Sequence, residues 1–374
     1  MRRILVVGAG FAGATYARVL AEAGCAVTII DRRPHVAGNA YDETDATGTR
    51  IHRYGPHFFH TSNPRVVDWV QRFGAWTPYQ LRVRALAGSA QYLPLPINRR
   101  TIEAVHGVVL SSSEETEQFL RSVSTPIERI ETAEDFLFAH VGPAITNLLF
   151  RPYTRKMWAL DLDQLSASVV KRLPIRYDCT DLYFPDDTFQ ALPTAGYSAL
   201  FHSILDHDLI EVHCGEVFEH AARRDYDCTF TSAAIDDHFD YCYGELPYRS
   251  IRFVDEVRPR GEPSAWPITN FTDNEGATRE TNWSALPHHD GGGKDRTVTR
   301  EYPCDYKENG YERYYPVKTA DDRYGDIYRR YKARADEDET LFFIGRCGTY
   351  QYLDMHQVIN QSLLGAEQWL RGLH

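Results

Sequence analysis

The chain has 374 residues, 43% of them hydrophobic and 25% charged, which is enough for two or three domains around substantial cores. A formal charge of −11 argues against general affinity for nucleic acid or an anionic membrane, so an anionic ligand needs a local cluster of arginines. No stretch approaches the roughly 20 apolar residues that span a bilayer, and seven scattered cysteines without CxxC spacing argue against a disulfide framework or a zinc site.

Taken in chain order, Arg3–Val7 reads as a short buried strand that starts too early to leave room for a signal peptide, and a cytoplasmic protein is expected. Gly8-Ala9-Gly10-Phe11-Ala12-Gly13 follows directly, then a helix from about Phe11 to Ala23 that ends at Gly24. A second apolar strand, Ala26–Ile30, finishes on Asp31. The strand, the glycines, the helix and the terminal acid stand where a dinucleotide fingerprint requires them. Gly8 permits the tight turn, Gly10 lets the backbone approach a pyrophosphate, and Gly13 lets helix pack against strand. The helix start at Phe11 and Ala12 offers free N–H groups and a positive dipole end to phosphate. Asp31 can accept hydrogen bonds from the adenosine ribose. The continuation Arg32-Arg33-Pro34-His35-Val36-Ala37-Gly38-Asn39 resembles the arginine-plus-glycine-doublet segment of glutathione-reductase-like and amine-oxidase-like flavoproteins, with Ala37 in place of the first glycine. FAD is the cofactor this resemblance implies, held through Arg32, Gly38 and Asn39 besides the fingerprint.

Further on, Ile51-His52-Arg53-Tyr54-Gly55-Pro56-His57-Phe58-Phe59-His60-Thr61 carries three histidines with no metal-ligand spacing. Packing under a loop and a cofactor-facing loop both remain open for it. Asn63 as cap with Pro64 at the first position starts a helix, and Tyr92–Pro96 looks like an edge strand. Residues 113–158 are helical in pattern, whereas residues 247–302 alternate as strands with a loop tip at Asp290–Gly293. Leu341–Gly345 is an apolar strand, and Arg346 with a short loop leads to Asp354. Asp354 caps an amphipathic helix from about Met355 to Leu370. The N-terminus of that helix, at Leu353, Asp354 and Met355, suits the electron-rich side of a reduced isoalloxazine. The expected fold is α/β: a Rossmann-like FAD-binding domain (1–78, 186–240 and 318–374) with an inserted helical lobe (100–165) and an antiparallel β-sheet lobe for substrate (79–99, 166–185 and 241–317).

Several motifs then resemble bacterial UDP-galactopyranose mutases in order along the chain. They are the histidine segment, Tyr153-Thr154-Arg155-Lys156-Met157-Trp158, Lys171-Arg172-Leu173-Pro174, Tyr183-Phe184 and Asn270-Phe271-Thr272-Asp273. Thr278-Arg279, Tyr314-Tyr315-Pro316-Val317 and Tyr352-Leu353-Asp354-Met355-His356-Gln357-Val358 complete the series. The resemblance implies a redox-neutral interconversion of the pyranose and furanose forms of a nucleoside-diphosphate hexose. In it, reduced FAD attacks the anomeric carbon through N5 and the diphosphate leaves. Residue by residue, it implies that Arg279 and Arg346 bracket the diphosphate, that Arg172 sits on a mobile loop, and that His57, Phe58 and His60 face the flavin, with His57 and Arg346 beside the reacting atoms. Tyr183, Tyr315 and Tyr352 would hydrogen-bond the diphosphate, Trp158 would lie near the sugar, Tyr153 would stack on the nucleobase, and Asn270 would touch the nucleotide. A flavin reductant and a homodimer are implied partners. The chain departs from the family at Asn282 and Ala285 after Arg279, and at Leu81, where relatives place a polar group toward the sugar. These departures point to an altered sugar, such as a deoxyhexose, or to a GDP-linked one. A flavin-dependent oxidase of the amine-oxidase type and a non-catalytic nucleotide-sugar or flavin binder are the alternatives.

Overall fold

The computed structural model describes residues 1–88, 91–171, 174–261, 266–273 and 275–372. Strand β1 (Arg3–Val7), helix α1 (Phe11–Glu22) and strand β2 (Ala26–Asp31) form where the spacing predicts them. They belong to a five-stranded, wholly parallel sheet in the order Ile210–Cys214, β2, β1, Cys228–Thr231, Leu341–Phe343. A parallel sheet is covered on both faces, which is why β1 and β2 read as unbroken apolar runs. Helix α1 packs on the C-terminal helix Met355–Arg371, and Leu20, Phe201, Phe230 and Ile359 share one core with the strands.

A second sheet has seven strands in the order Tyr315–Pro316, Tyr248–Pro259, Asp295–Asp305, Arg279–Asn282, Ile268–Phe271, Val83–Ala87, Gln91–Leu95. It corrects the expectation of an antiparallel lobe in one place: Ile268–Phe271 runs parallel to Val83–Ala87. The helical lobe lies between these two segments in the chain, so no hairpin dictates their direction. Gln91–Leu95 is the edge strand, where Pro94 costs no ladder bond.

Helices Arg99–His106, Ser113–Val123, Ala133–Ile145 and Arg151–Trp158 close over a separate core around Ile102, Leu120, Leu137 and Ile145. Ser112 caps the second of them, its Oγ accepting from Glu115 N–H at 3.1 Å. Thr132 and Asp135 form a capping box on the third. Gly142, at φ +75, kinks that third helix before it passes into a wider turn at Thr146–Phe150. Asn63 caps Pro64–Gln71 as its sequence requires, accepting from Arg65 N–H at 3.1 Å. At the C-terminal end the strand stops at Phe343, and Arg346 stands in a helical turn, Gly345–Gly348, instead of a loop. Among the described residues no helix is long and apolar enough to cross a membrane.

Candidate functional site

The two sheets meet around one cavity of about 770 Å³. Its first wall is the turn between β1 and α1. Gly8 has φ +100, a conformation closed to residues with a side chain, and its N–H donates to Ile30 O at 2.8 Å. A Cβ on Gly13 would lie 1.9 Å from Gly8 O, so only glycine lets the helix sit this close. Gly10 and Gly38 face each other across the cavity floor, and a Cβ on Gly38 would lie 2.9 Å from Gly10 Cα. The helix start at Gly10, Phe11 and Ala12 carries no side-chain cap and opens into the cavity. A bare backbone and an uncapped N-terminus fit a dinucleotide pyrophosphate. Asp31 lines the same end. Its Oδ2 accepts from Ala9 N–H at 2.7 Å and its Oδ1 from Arg33 N–H at 2.9 Å, so the carboxylate also ties the turn together. Arg32 and Arg33 both pair with Glu312, and Arg33 donates to Asn39 Oδ1 at 3.0 Å.

The three histidines of the 51–61 segment have three different fates. His52 is buried in the core: its Nδ1 accepts from His57 N–H at 3.0 Å, and its Nε2 lies 3.0 Å from His289 Nε2. His289 Nδ1 in turn donates to Pro287 O at 2.7 Å. These roles are mutually consistent only when both rings are neutral, with His52 protonated on Nε2 and His289 on Nδ1. Burial and the neighbouring His289 hold the His52 pKa well below the usual imidazole value, and burial brings His289 to about 4. His57 lines the cavity and donates from Nδ1 to Gly55 O at 2.7 Å, which leaves Nε2 as an acceptor. Burial and then the Arg346 and Arg279 charges lower its pKa to about 4, against the opposing bond to Gly55. His60 also lines the cavity, stacked at 3.5 Å on Phe184 and paired through Nδ1 with Asp187 Oδ2 at 2.6 Å.

The opposite wall is the seven-stranded sheet. Register places Asn270, Arg279, Glu301 and Phe253 side by side across four strands, and all four line the cavity. Arg279 donates from Nε to Asn270 Oδ1 at 3.3 Å and from Nη2 to Tyr153 Oη at 3.4 Å, and its Nη1 lies 3.6 Å from Glu301 Oε1. Burial is the largest influence on Arg279 and opposes its charge, but the Glu301 carboxyl together with Tyr153, Tyr315 and Tyr183 outweighs it, and the guanidinium pKa is raised well above its usual value. For Glu301 burial prevails over Arg279 and its own pKa is raised. The two directions conflict; the one that stands is a permanently charged Arg279, because a guanidinium keeps its proton in every protein environment.

Arg346 faces the same space. Its guanidinium lies 5.3 Å from the Tyr315 ring and 5.0 Å from the Tyr352 ring, which stack on each other at 5.3 Å. Nη2 is held by Tyr314 O, while Nε is buried and without a partner. Burial, and then Tyr352, raises the Tyr315 pKa, so its phenol stays a neutral donor. Gly345 presses against Ala12, where a Cβ would come within 2.9 Å, so Arg346 stands directly beside the dinucleotide turn.

Of the residues singled out in the sequence, Gly8, Gly10, Phe11, Ala12, Asp31, Arg32, Gly38, Asn39, His57, Phe58, His60, Arg346, Leu353, Asp354 and Met355 share the cavity with Leu81, Tyr183, Asn270, Arg279, Tyr315 and Tyr352. Gly13 does its work behind the turn. Tyr153 stands behind Arg279, and Trp158 meets Tyr315 edge-on at 6.3 Å; neither is on the cavity wall. Asn282 and Ala285 are also off this wall, which removes them from the case for an altered substrate. Arg172 lies outside the described residues. Sequence reading passed over Glu301, Glu312, Phe253 and the partnership of His52 with His289. Glu301 had a signal: it is in phase with Thr297 and Thr299, on the buried face of its strand.

Comparison with known proteins agrees with this geometry. A family model described as UDP-galactopyranose mutase matches residues 148–352, and one described as an NAD(P)-binding Rossmann-like domain matches residues 6–73. The chain is 33% identical to an Escherichia coli protein named dTDP-fucopyranose mutase, with 99% of each covered. It is also 33% identical to a probable UDP-galactopyranose mutase of Klebsiella pneumoniae, with 99% of this chain and 95% of that one covered. Among solved structures, a reduced UDP-galactopyranose mutase superposes with a TM-score of 0.77 at 15% identity, covering 100% of this chain and 94% of that one. A putrescine oxidase does so with a TM-score of 0.60 at 12% identity, covering 99% of each chain.

Proposed function

The chain belongs to the UDP-galactopyranose mutase family, and we propose that it interconverts the pyranose and furanose forms of a nucleoside-diphosphate hexose of the UDP-galactose type, with FAD in its reduced form. The observation that carries this reading is that one cavity joins two kinds of wall. One end offers an uncapped helix start over bare glycine backbone, and the other offers two arginines and a pair of stacked phenols. When bound, the reduced flavin supplies a nucleophilic nitrogen for the anomeric carbon.

The chain's own residues do the rest. Arg279 and Arg346 set two fixed cations where the leaving diphosphate gains negative charge, and a preplaced donor of this kind is worth about 3 kcal/mol of barrier in a desolvated site. Tyr315, kept neutral by burial, and Tyr352 donate from the same side. His57 stays uncharged, so it adds no competing cation, and its Nε2 can accept from a sugar hydroxyl. The helix N-terminus at Leu353–Met355 favours electron density on the flavin. A separate reductant, a homodimeric assembly and a cytoplasmic setting belong to the same reading.

The parallel fold of flavin oxidases leaves the Arg279 and Arg346 pair without a task, which favours the mutase. The test is furanose formation from UDP-galactose and related nucleotide sugars by dithionite-reduced and by oxidised protein, followed by chromatography with oxygen uptake monitored. Product from the reduced protein alone, without oxygen consumption, is expected. Equal turnover by both forms would sink the proposal.

A further inference from the structure

We infer that His52 and Tyr197 are positioning residues for His57, gripping its backbone on both sides so that its imidazole is presented to the cavity; the kinetic consequence rests on the mutase reading above. His57 stands between the strands Arg50–His52 and Phe59–Thr61, and among the described residues neither its N–H nor its carbonyl bonds to other backbone. Two side chains take these groups instead. His52 Nδ1 accepts from His57 N–H at 3.0 Å, and Tyr197 Oη donates to His57 O at 3.2 Å. The two preceding residues stiffen the approach. Gly55 has φ +87, where a Cβ would come within 2.9 Å of the Phe253 ring, and the ring of Pro56 fixes φ. His57 Nδ1–H then closes onto Gly55 O, which ties the imidazole to the loop.

Both gripping side chains are referred to one short hairpin. Asp42 and His52 face each other where Asp42–Thr44 pairs with Arg50–His52. The Asp42 carboxylate accepts from Tyr197 N–H at 2.8 Å and from Ser198 N–H at 2.7 Å, which seats the first turn of the helix Tyr197–Leu205 on the same hairpin. The His52 and Tyr197 rings meet edge-on at 5.4 Å, and both residues are buried. Burial, and then Asp42, raises the Tyr197 pKa well above the usual phenol value, so Oη remains a donor. His289 completes the set from the sheet lobe: it accepts from His52 Nε2–H, and Pro287 O holds its own Nδ1–H. A carbonyl at one end and an amide N–H at the other fix the polarity of this chain, so His52 is an acceptor toward His57. Phenylalanine at either gripping position would fill the same space and leave a His57 backbone group without a partner. Neither His52 nor Tyr197 is on the cavity wall, so they reach the reacting groups through His57.

The experiment uses flavin-loaded protein and substitutions that separate shape from hydrogen bonding. Asparagine carries its amide oxygen where histidine carries Nδ1, whereas glutamine carries it where histidine carries Nε2. His52→Gln and Tyr197→Phe should each lower kcat by about 10- to 100-fold, the scale of a small misplacement of a working group. KM should stay nearly unchanged, because the arginines that hold the diphosphate are untouched. His52→Asn should restore most of the rate. In a His57→Ala background both losses should vanish, since the side chain being held is gone. The visible circular dichroism of the bound flavin should follow the same pattern, and it needs no turnover. His52→Asn as impaired as His52→Gln would overturn the inference, and so would equal effects of Tyr197→Phe with and without His57. Tyr197→Phe, which keeps the buried ring, decides the matter where a change at His52 unfolds the chain. No furanose from the wild-type protein would overturn the mutase reading instead, and the dichroism alone then decides whether His57 is held in this way.

Discussion

Replacing His289 with phenylalanine isolates the contribution of the buried imidazole pair to stability. In the fold His289 has a pKa of about 4, against about 6.5 for an unfolded histidine. The folded pKa is the lower one, so the unfolded chain takes up the proton first. Its contribution is complete above about pH 6.5 and is lost as pH falls toward 4. The difference corresponds to about 3 kcal/mol across the whole window, with about 2 kcal/mol already gone at pH 5. At pH 7.5 the phenylalanine variant should be less stable by about 1–3 kcal/mol, because His52 Nε2–H, now 3.0 Å from its acceptor, would be buried without one. Denaturant unfolding of the flavin-loaded wild type and of His289→Phe, measured from pH 7.5 to pH 5, should show the gap between them closing by about 2 kcal/mol. His57 and His238, also brought to about 4 by burial, titrate in both proteins and cancel from the difference, whereas His52 loses in the variant one of the neighbours that depress it, which closes the gap further as pH falls. A gap that stays constant with pH would refute the neutral pair.

Two other expectations follow from the site. Arg279→Ala should lower kcat/KM by a hundredfold or more, about 3 kcal/mol, while flavin remains bound, and Arg279→Lys should restore little because a lysine lacks the guanidinium fork. Near-normal kinetics in a flavin-loaded Arg279→Ala protein would remove this residue from the diphosphate. Gly13→Ala should cost about 3 kcal/mol or more, since the new Cβ meets the Gly8 carbonyl backbone; unchanged melting with full flavin content would contradict that packing.

Much of the cofactor end was legible because it is local. A strand, a glycine turn and a helix within thirty residues have spacings that physics fixes, and β1, α1 and β2 formed within a residue or two of expectation. The substrate end was legible only through resemblance. Arg279 acquires Glu301 by strand pairing, and His52 acquires His289 across 237 positions of chain, relations that no periodicity encodes. The histidine segment left packing and cofactor contact both open, and the structure assigns packing to His52 and the cavity to His57 and His60. Tyr153 and Trp158 were expected against the substrate, yet they support Arg279 and Tyr315 from behind. The parallel pairing of Ile268–Phe271 with Val83–Ala87 escaped for a related reason: strand direction follows the route of the chain between the strands.

The strand order of the five-stranded sheet also has a meaning in time. The glycine turn at 8–13 leaves a ribosome well ahead of the edge strand Leu341–Phe343, the Arg346 turn and the helix that covers α1. At roughly 5–20 residues per second, the wait is on the order of tens of seconds. Until then the nascent fingerprint lacks both its outer strand and the side of the cavity that carries Arg346. A chain released before these elements emerge would carry the whole glycine motif without the outer strand or the Arg346 turn, so the two sides of the cavity come together only after they have emerged.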